Sequence, residues 1–266
     1  MSLPVGLRRA LGVIMVIALA ILYIPLLLVV LNSFNSSRTF GFPPTGFTLE
    51  WWQKAANSSG ALSSLGTSIL AGVCAMLIAL VLGSMAAFAV QRFRFFGRST
   101  ISFLVVLPIT LPGIVTGIAL NASFLSVGVQ FGIVTVIIGH ATFCIVIVFN
   151  NVQARLRRMG SSLEEASADL GANAWQTFWM VTFPSIRGAL VAGALLAFAL
   201  SFDEIVVTTF TAGPDVQTLP LWIFANLFRP NQAPVVNVVA AVLTIVAIVP
   251  VWIAQRLSGD AVSSRV

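Results

Sequence analysis

Six apolar runs divide this sequence, at residues 11–31, 65–90, 101–125, 131–150, 186–207 and 235–255. Each is close to the length of about 20 apolar residues that carries a helix across a hydrocarbon core. Run length selects helices over strands, and a helix satisfies its backbone polar groups internally where no water can. The pattern predicts an all-α membrane protein of six transmembrane helices, forming one domain over residues 1–266. Arg8 and Arg9 precede the first run as they would in a secretory signal. That run is too long for a signal core and no small-residue cleavage site follows it, so it reads as an uncleaved first span.

Between the runs, polar stretches differ in length and chemistry. Residues 32–64 carry Pro43, Pro44 and the pair Trp51–Trp52. These tryptophans suit an interfacial belt or a contact with an external partner or solute. Residues 208–234 are rich in Gly, Pro and Asn and are expected to fold partly back toward the membrane. The loop 152–187 holds Glu164, Glu165 and Asp169 beside Arg155, Arg157 and Arg158. Ser162-Leu163-Glu164-Glu165 has the form of a capping box, with Ser162 starting a helix and Glu165 reaching back. Leu163, Ala166 and Leu170 follow at helical spacing, and Gly171 is placed to stop the helix. Asn173 can cap a second short helix that bears Trp175, Phe178 and Trp179 and ends before Pro184. Two short amphipathic helices make either a docking element or a hairpin lying in the lipid headgroups.

Composition narrows the class. The chain is 58% hydrophobic and 8% charged, with mean hydropathy +1.02, which excludes an ordinary soluble domain. Its net charge of +6 suggests nucleic acid until the basic residues are located. They border the apolar runs, so they read as topology signals beside membrane lipid, with no nucleic-acid partner. With six spans, eleven of the 14 fall on one side: Arg8, Arg9, Arg92, Arg94, Arg98, Arg155, Arg157, Arg158, Arg187, Arg256 and Arg265. Only Arg38, Lys54 and Arg229 fall on the other. Both termini are therefore expected in the cytoplasm. Cys74 and Cys144 lie in different spans, as packing residues rather than a disulfide, and no metal-ligand spacing occurs. There is no phosphate-binding Gly-x4-Gly-Lys-Ser/Thr loop, and the single lysine, Lys54, lies in an outer segment. Any ATP-driven step needs a partner.

Polar residues inside the runs are costly and so default to function. Asp203 and Glu204 lie near the outer end of the fifth run, roughly 26 Å from Ile186 at 1.5 Å per residue. On one helix, Ser201, Glu204, Thr208 and Thr211 would share a face, with Asp203 turned away beside Ala199 and Val207. That face could line a cation path, or the acids could sit among headgroups or pair with an arginine of a partner chain. Pro108 and Pro112, followed by Gly113 and Gly117, predict a bent or locally opened third span, which also carries Asn121. His140, the one histidine, suits a packed and satisfied group or a solute contact. It lacks the nucleophile that a membrane hydrolase would need, and Asp203 has no second acid on another span for a two-aspartate protease.

The run Glu165-Ala166-Ser167, then Gly171, then Val181-Thr182-Phe183-Pro184 resembles the EAA loop of ABC-importer permeases, Glu-Ala-Ala, Gly and Ile-x-Leu-Pro at the same spacing. Ser167, Val181 and Phe183 are conservative departures. Tyr23-Ile24-Pro25, Asn32-Ser33-Phe34-Asn35, Gly139-His140-Ala141-Thr142, Ser201-Phe202-Asp203-Glu204, Thr211-Ala212-Gly213 and Leu219-Pro220-Leu221 are similar to the second permease of spermidine/putrescine importers. Spermidine-carrying members have Asp after the third-span proline, where this chain has Pro112-Gly113. The resemblance implies a type I ABC-importer permease in the bacterial cytoplasmic (inner) membrane, a transport subunit rather than an enzyme. It implies a homologous second permease, two copies of an ABC ATPase that hold the ATP and Mg, and an extracytoplasmic solute-binding protein; this chain holds no cofactor. It places Glu165, Ala166, Asp169 and Gly171 in ATPase coupling, and Asp203, Glu204, Ser201 and Thr208 as candidates for the path of a small cation such as putrescine or spermidine. The rivals are a proton-coupled secondary carrier and an ABC permease for another amine or amino-acid-like solute.

Overall fold

The computed structural model describes residues 4–246 of the chain, all of whose long elements are helices. They are α1 (Val5–Asn32), α2 (Glu50–Ala56), α3 (Ser59–Arg92), α4 (Arg98–Thr110), α5 (Gly113–Ser126), α6 (Ile133–Met159), α7 (Ser162–Asp169), α8 (Ala174–Thr177), a π-helical turn (Phe178–Thr182), α9 (Phe183–Phe202), α10 (Val206–Thr211), α11 (Leu219–Asn226) and α12 (Ala233–Val246). They group into two compact units, Met1–Leu62 with Ile223–Val266, and Ser63–Trp222.

In the first unit, α1 exposes almost its whole apolar length; none of its most apolar 18-residue window is buried. In water that surface would be costly, whereas its length and apolarity suit a bilayer. Past α1 the chain is held by an antiparallel bridge between Asn35 and Phe47 and by side-chain bonds. Asn35 Oδ1 accepts from the backbone N–H of Ser37 at 3.1 Å and of Thr45 at 3.2 Å. The Asn35 carbonyl accepts from Trp51 Nε1 at 2.9 Å, which seats Trp51 as a buried ring within this segment. Trp51 is thus a packing residue, while Trp52 stacks on Phe34 with centroids 5.1 Å apart.

In the second unit, α6 is the axis and packs most extensively on α9. Small residues of α3 (Ala75, Ala79, Ala87) meet larger ones of α6 (Cys144, Val148, Phe149, Val152) in one buried cluster. A Cβ added to Gly83 would stand 2.8 Å from the Ile145 carbonyl oxygen, so the two backbones approach as only glycine permits.

Among the described residues four helices are long and apolar enough to cross a membrane, or five if α4 and α5 count as one span broken by 106°. The third run, 101–125, is that broken pair. Pro108 is tolerated inside α4, whereas Leu111 is extended with ψ 144° ahead of Pro112, as the residue before proline prefers. The sixth run, 235–255, is described only as far as Val246; its remainder, with Arg256 and Arg265, lies outside the described residues. Two expectations need correcting. The helix after Asn173 does not end before Pro184: Ala174–Phe202 is one rod, because the wider π-helical turn at Phe178–Thr182 absorbs the proline that follows it. The fifth span does not run to residue 207: α9 ends at Phe202, and α10 begins only at Val206.

Candidate functional site: an exposed loop and a broken helix

Within the stretch 152–187, α6 continues to Met159 and stops at Gly160 with φ +67°, α9 begins at Phe183, and the residues between them form the projecting loop. α7 follows, and Glu165, Ala166 and Asp169 all lie on its exposed surface. Its C-terminus is closed by a Schellman motif. The Ala172 N–H donates to the Ser167 carbonyl at 3.1 Å, and the Gly171 N–H to that of Ala168 at 2.9 Å. Gly171 has φ +83°, the left-handed conformation this closure requires. At the other end the anticipated capping box is absent. Ser161 is the N-cap, with no side-chain bond, and only its carbonyl accepts from the Glu165 N–H, at 2.9 Å. The acid with structural partners is Glu164. Its Oε1 accepts from Arg92 Nη2 at 3.0 Å and from Thr182 Oγ1 at 2.8 Å. Asn173 does form its capping box with Gln176, both bonds being 2.9 Å. Around these anchors, apolar groups stay uncovered: Leu170 is 89% exposed, Met180 76% and Trp175 70%.

The second locus is the break after α9. Asp203 is exposed and Glu204 half-buried. Both edge an open depression of about 410 Å³ whose other walls, Ile147, Leu196, Ala199 and Leu200, are apolar. Glu204 Oε1 accepts from the Val207 N–H at 2.9 Å, in the first turn of α10. Ser201 and Thr208 are buried and do not face that depression. Between them stands His140 of α6, fully buried, with Nδ1 2.7 Å from Ser201 Oγ and Nε2 2.9 Å from Thr208 Oγ1. Thr208 donates its own proton to the Glu204 carbonyl at 2.8 Å. The ring therefore donates from Nε2 and accepts the Ser201 proton at Nδ1. His140 is a satisfied histidine that braces α9 and α10 across their gap. The segment beyond is packed closely: a Cβ on Gly117 would meet the Phe210 ring at 2.6 Å, and one on Gly213 the Phe131 carbonyl oxygen at 2.3 Å. Asn121 donates to the Phe210 carbonyl at 2.7 Å, a bond that ties α5 to α10.

Sequence reading missed the roles of Glu164, Arg92 and Thr182, and the partners of His140. They are 18 to 72 residues apart, so no periodicity joins them. Among the described residues no group of three or more His, Cys, Asp or Glu could hold a metal.

An exposed helix, α7, thus lies between two long apolar helices. Residues 79–263 match the model of the family described as binding-protein-dependent transport system inner membrane component. The chain belongs to this family. It is 33% identical to the putrescine transport system permease protein PotI of Escherichia coli (strain K12) over 238 residues, 87% of this chain and 84% of that one. It is 34% identical to the spermidine/putrescine transport system permease protein PotC of the same organism over 241 residues, 91% of this chain and 90% of that one. A putative 2-aminoethylphosphonate transport system permease protein, PhnV of Salmonella typhi, is 30% identical over 243 residues, with 91% of this chain and 90% of that one covered. Among solved structures, a bacterial ABC transporter involved in the import of the acidic polysaccharide alginate contains a chain of the same fold. The TM-score is 0.69 at 17% identity, over 98% of this chain and 99% of that one. The protein is thus a multi-pass permease component of a binding-protein-dependent transport system. It is a transport subunit, neither an enzyme nor a secondary carrier.

Proposed function

We propose that this permease is one of two homologous permease subunits of an ATP-driven polyamine importer in the bacterial cytoplasmic membrane. It works with two copies of an ATPase, which hold the ATP and Mg, and with an extracytoplasmic solute-binding protein. The observation that carries this reading is α7: a short exposed helix, closed by a left-handed glycine at the EAA spacing and flanked by uncovered Leu170, Trp175 and Met180. Such a face suits a groove on the ATPase, and Glu165, Ala166, Asp169 and Gly171 are its coupling residues. The chain crosses six times with both termini cytoplasmic, a reading supported by the placement of eleven of its 14 basic residues.

The solute is a small amine cation, as the names of PotI and PotC suggest. Asp203 and Glu204 line its path. Their depression joins two carboxylates to an apolar wall, which suits an ammonium attached to methylenes. Ser201 and Thr208 serve this path from behind, through His140. ATP binding closes the ATPase pair, the two coupling helices approach one another, and the outer ends of the spans open to the loaded binding protein. The likeness to PhnV favours one other solute, an aminophosphonate, whose anionic end the two carboxylates would repel.

Uptake of radiolabelled putrescine in cells deprived of their own polyamine uptake, and expressing the whole system, tests the assignment. Excess unlabelled putrescine or spermidine should suppress it, and 2-aminoethylphosphonate should not. No uptake above empty-vector cells would sink the polyamine reading.

A further inference from the structure

Glu164 is one residue away from the acid of the EAA pattern, yet it is the one that the fold engages. One oxygen, Oε1, receives both Arg92 Nη2 at 3.0 Å and Thr182 Oγ1 at 2.8 Å. Three separate elements meet there: the end of the long helix α3, the exposed helix α7, and the π-helical turn that opens the Ala174–Phe202 rod. The pair is neither a surface ion pair nor a fully buried one. The Arg92 side chain is 17% exposed and that of Glu164 21%, so the charges interact through little water.

The geometry is that of a pivot. An arginine held bidentately fixes its partner's orientation, whereas here a single Nη donor reaches a single carboxylate oxygen. Arg92 Nε is buried with no acceptor among the described residues, so the guanidinium fork is only partly used. Glu164 can therefore rotate about one contact point while still attached to two helices. The third element is irregular as well. A π-helical turn is a rare, wider register inside an α-helix, and such turns gather at functional positions. Thr182 is the last residue of that turn and is buried. Other links between α7 and its neighbours are weaker: Ser167 and Thr177 share one hydroxyl pair at 3.1 Å.

We propose that Glu164 is the positioning residue that transmits movement of α7 to the membrane helices, pulling on α3 through Arg92 and on the Ala174–Phe202 rod through Thr182. The proposal rests on the reading above that α7 meets the ATPase, and adds to it the route by which that contact reaches the spans. A displaced α7 drags the shared oxygen, the π-helical turn takes up the strain, and the far end of the rod carries it toward the Asp203–Ile205 break.

The test uses the complete transporter, this chain with its permease partner, ATPase and binding protein, in proteoliposomes. Three quantities are read: a cross-link from Ala166→Cys to the ATPase, ATP hydrolysis with and without loaded binding protein, and solute taken up per ATP. Glu164→Gln and Arg92→Gln should leave the cross-link and basal hydrolysis in place. Stimulation by the binding protein and uptake per ATP should fall by roughly fivefold, the low end of coupling between distant sites. Thr182→Val, which removes only a hydroxyl, should uncouple in the same direction but less. The charge swap Glu164→Arg with Arg92→Glu should recover at least part of what Glu164→Arg alone loses, which shows that the two side chains act on one another. Coupled uptake within twofold of the unsubstituted transporter in both Gln variants would overturn the assignment. So would loss of the cross-link in all three single variants, because the cluster would then fold the loop rather than transmit through it. If the chain carrying Ala166→Cys and none of these substitutions fails to cross-link, the docking of α7 itself fails. A normal cross-link with undiminished coupling removes only the role of Glu164.

Discussion

Glu204 accepts a backbone N–H and also borders the depression, so charge and structure can be separated there by one atom. Glu204→Gln keeps an oxygen for the Val207 N–H and removes the negative charge. Putrescine uptake should fall roughly tenfold, the effect of about 1.4 kcal/mol of lost attraction, while the protein still assembles. Asp203→Asn should fall less. If Asp203 or Glu204 instead pairs with an arginine of the partner permease, the neutral variant will lose assembly first, which co-purification of the two permeases would reveal. His140 makes a different prediction. Replacing it by Ala leaves the Ser201 hydroxyl and the Thr208 oxygen without their ring partner in the dry interior, at about 1–3 kcal/mol each. His140→Ala should therefore lower the melting temperature in detergent clearly more than Thr142→Ala on the same helix. An equal or smaller drop would mean that the brace is not holding α9 and α10.

At the scale of elements, glycines mark where the backbone has no choice. Gly171→Leu forces a side chain into φ +83° at the stop of α7, a cost of about 1–2 kcal/mol. It should weaken co-purification with the ATPase, while Gly188→Ala, with nothing within 4 Å of its added carbon, should not. This stop was legible in the sequence because the Schellman closure is local and needs one residue type. The start of α7 misled for the opposite reason. Ser162-x-x-Glu165 has the spacing of a capping box, but the helix begins one residue earlier, at a Ser161 cap, and the adjacent acid is drawn to Arg92, 72 positions away. The broken fifth span was hidden similarly. Ser201, Glu204 and Thr208 have helical spacing, yet α9 ends at Phe202, and the bonds of Ser201 and Thr208 to His140 span 61 and 68 residues. Close packing beyond the break gives a further check. Gly213→Ala would place a carbon 2.3 Å from the Phe131 carbonyl oxygen, and the required shift should cost about 1–3 kcal/mol in unfolding measurements.

For the whole molecule, apolar run length carried most of the all-helical fold, since a bilayer constrains span length from outside the chain. The 106° break between α4 and α5 was foreshadowed by Pro112 but not its size, which is set by how both halves pack. A cysteine introduced at Lys54 should react with a membrane-impermeant thiol reagent in spheroplasts, and one at Arg157 only after permeabilisation. Labelling of the Arg157 position in intact spheroplasts would reverse the orientation. The most direct test of the central reading is putrescine uptake by proteoliposomes that contain this permease with its permease partner and ATPase. Uptake should require both internal ATP and external solute-binding protein, and should stop when the ATPase is inactivated. Uptake that persists without ATP, driven by a proton gradient alone, would contradict the account.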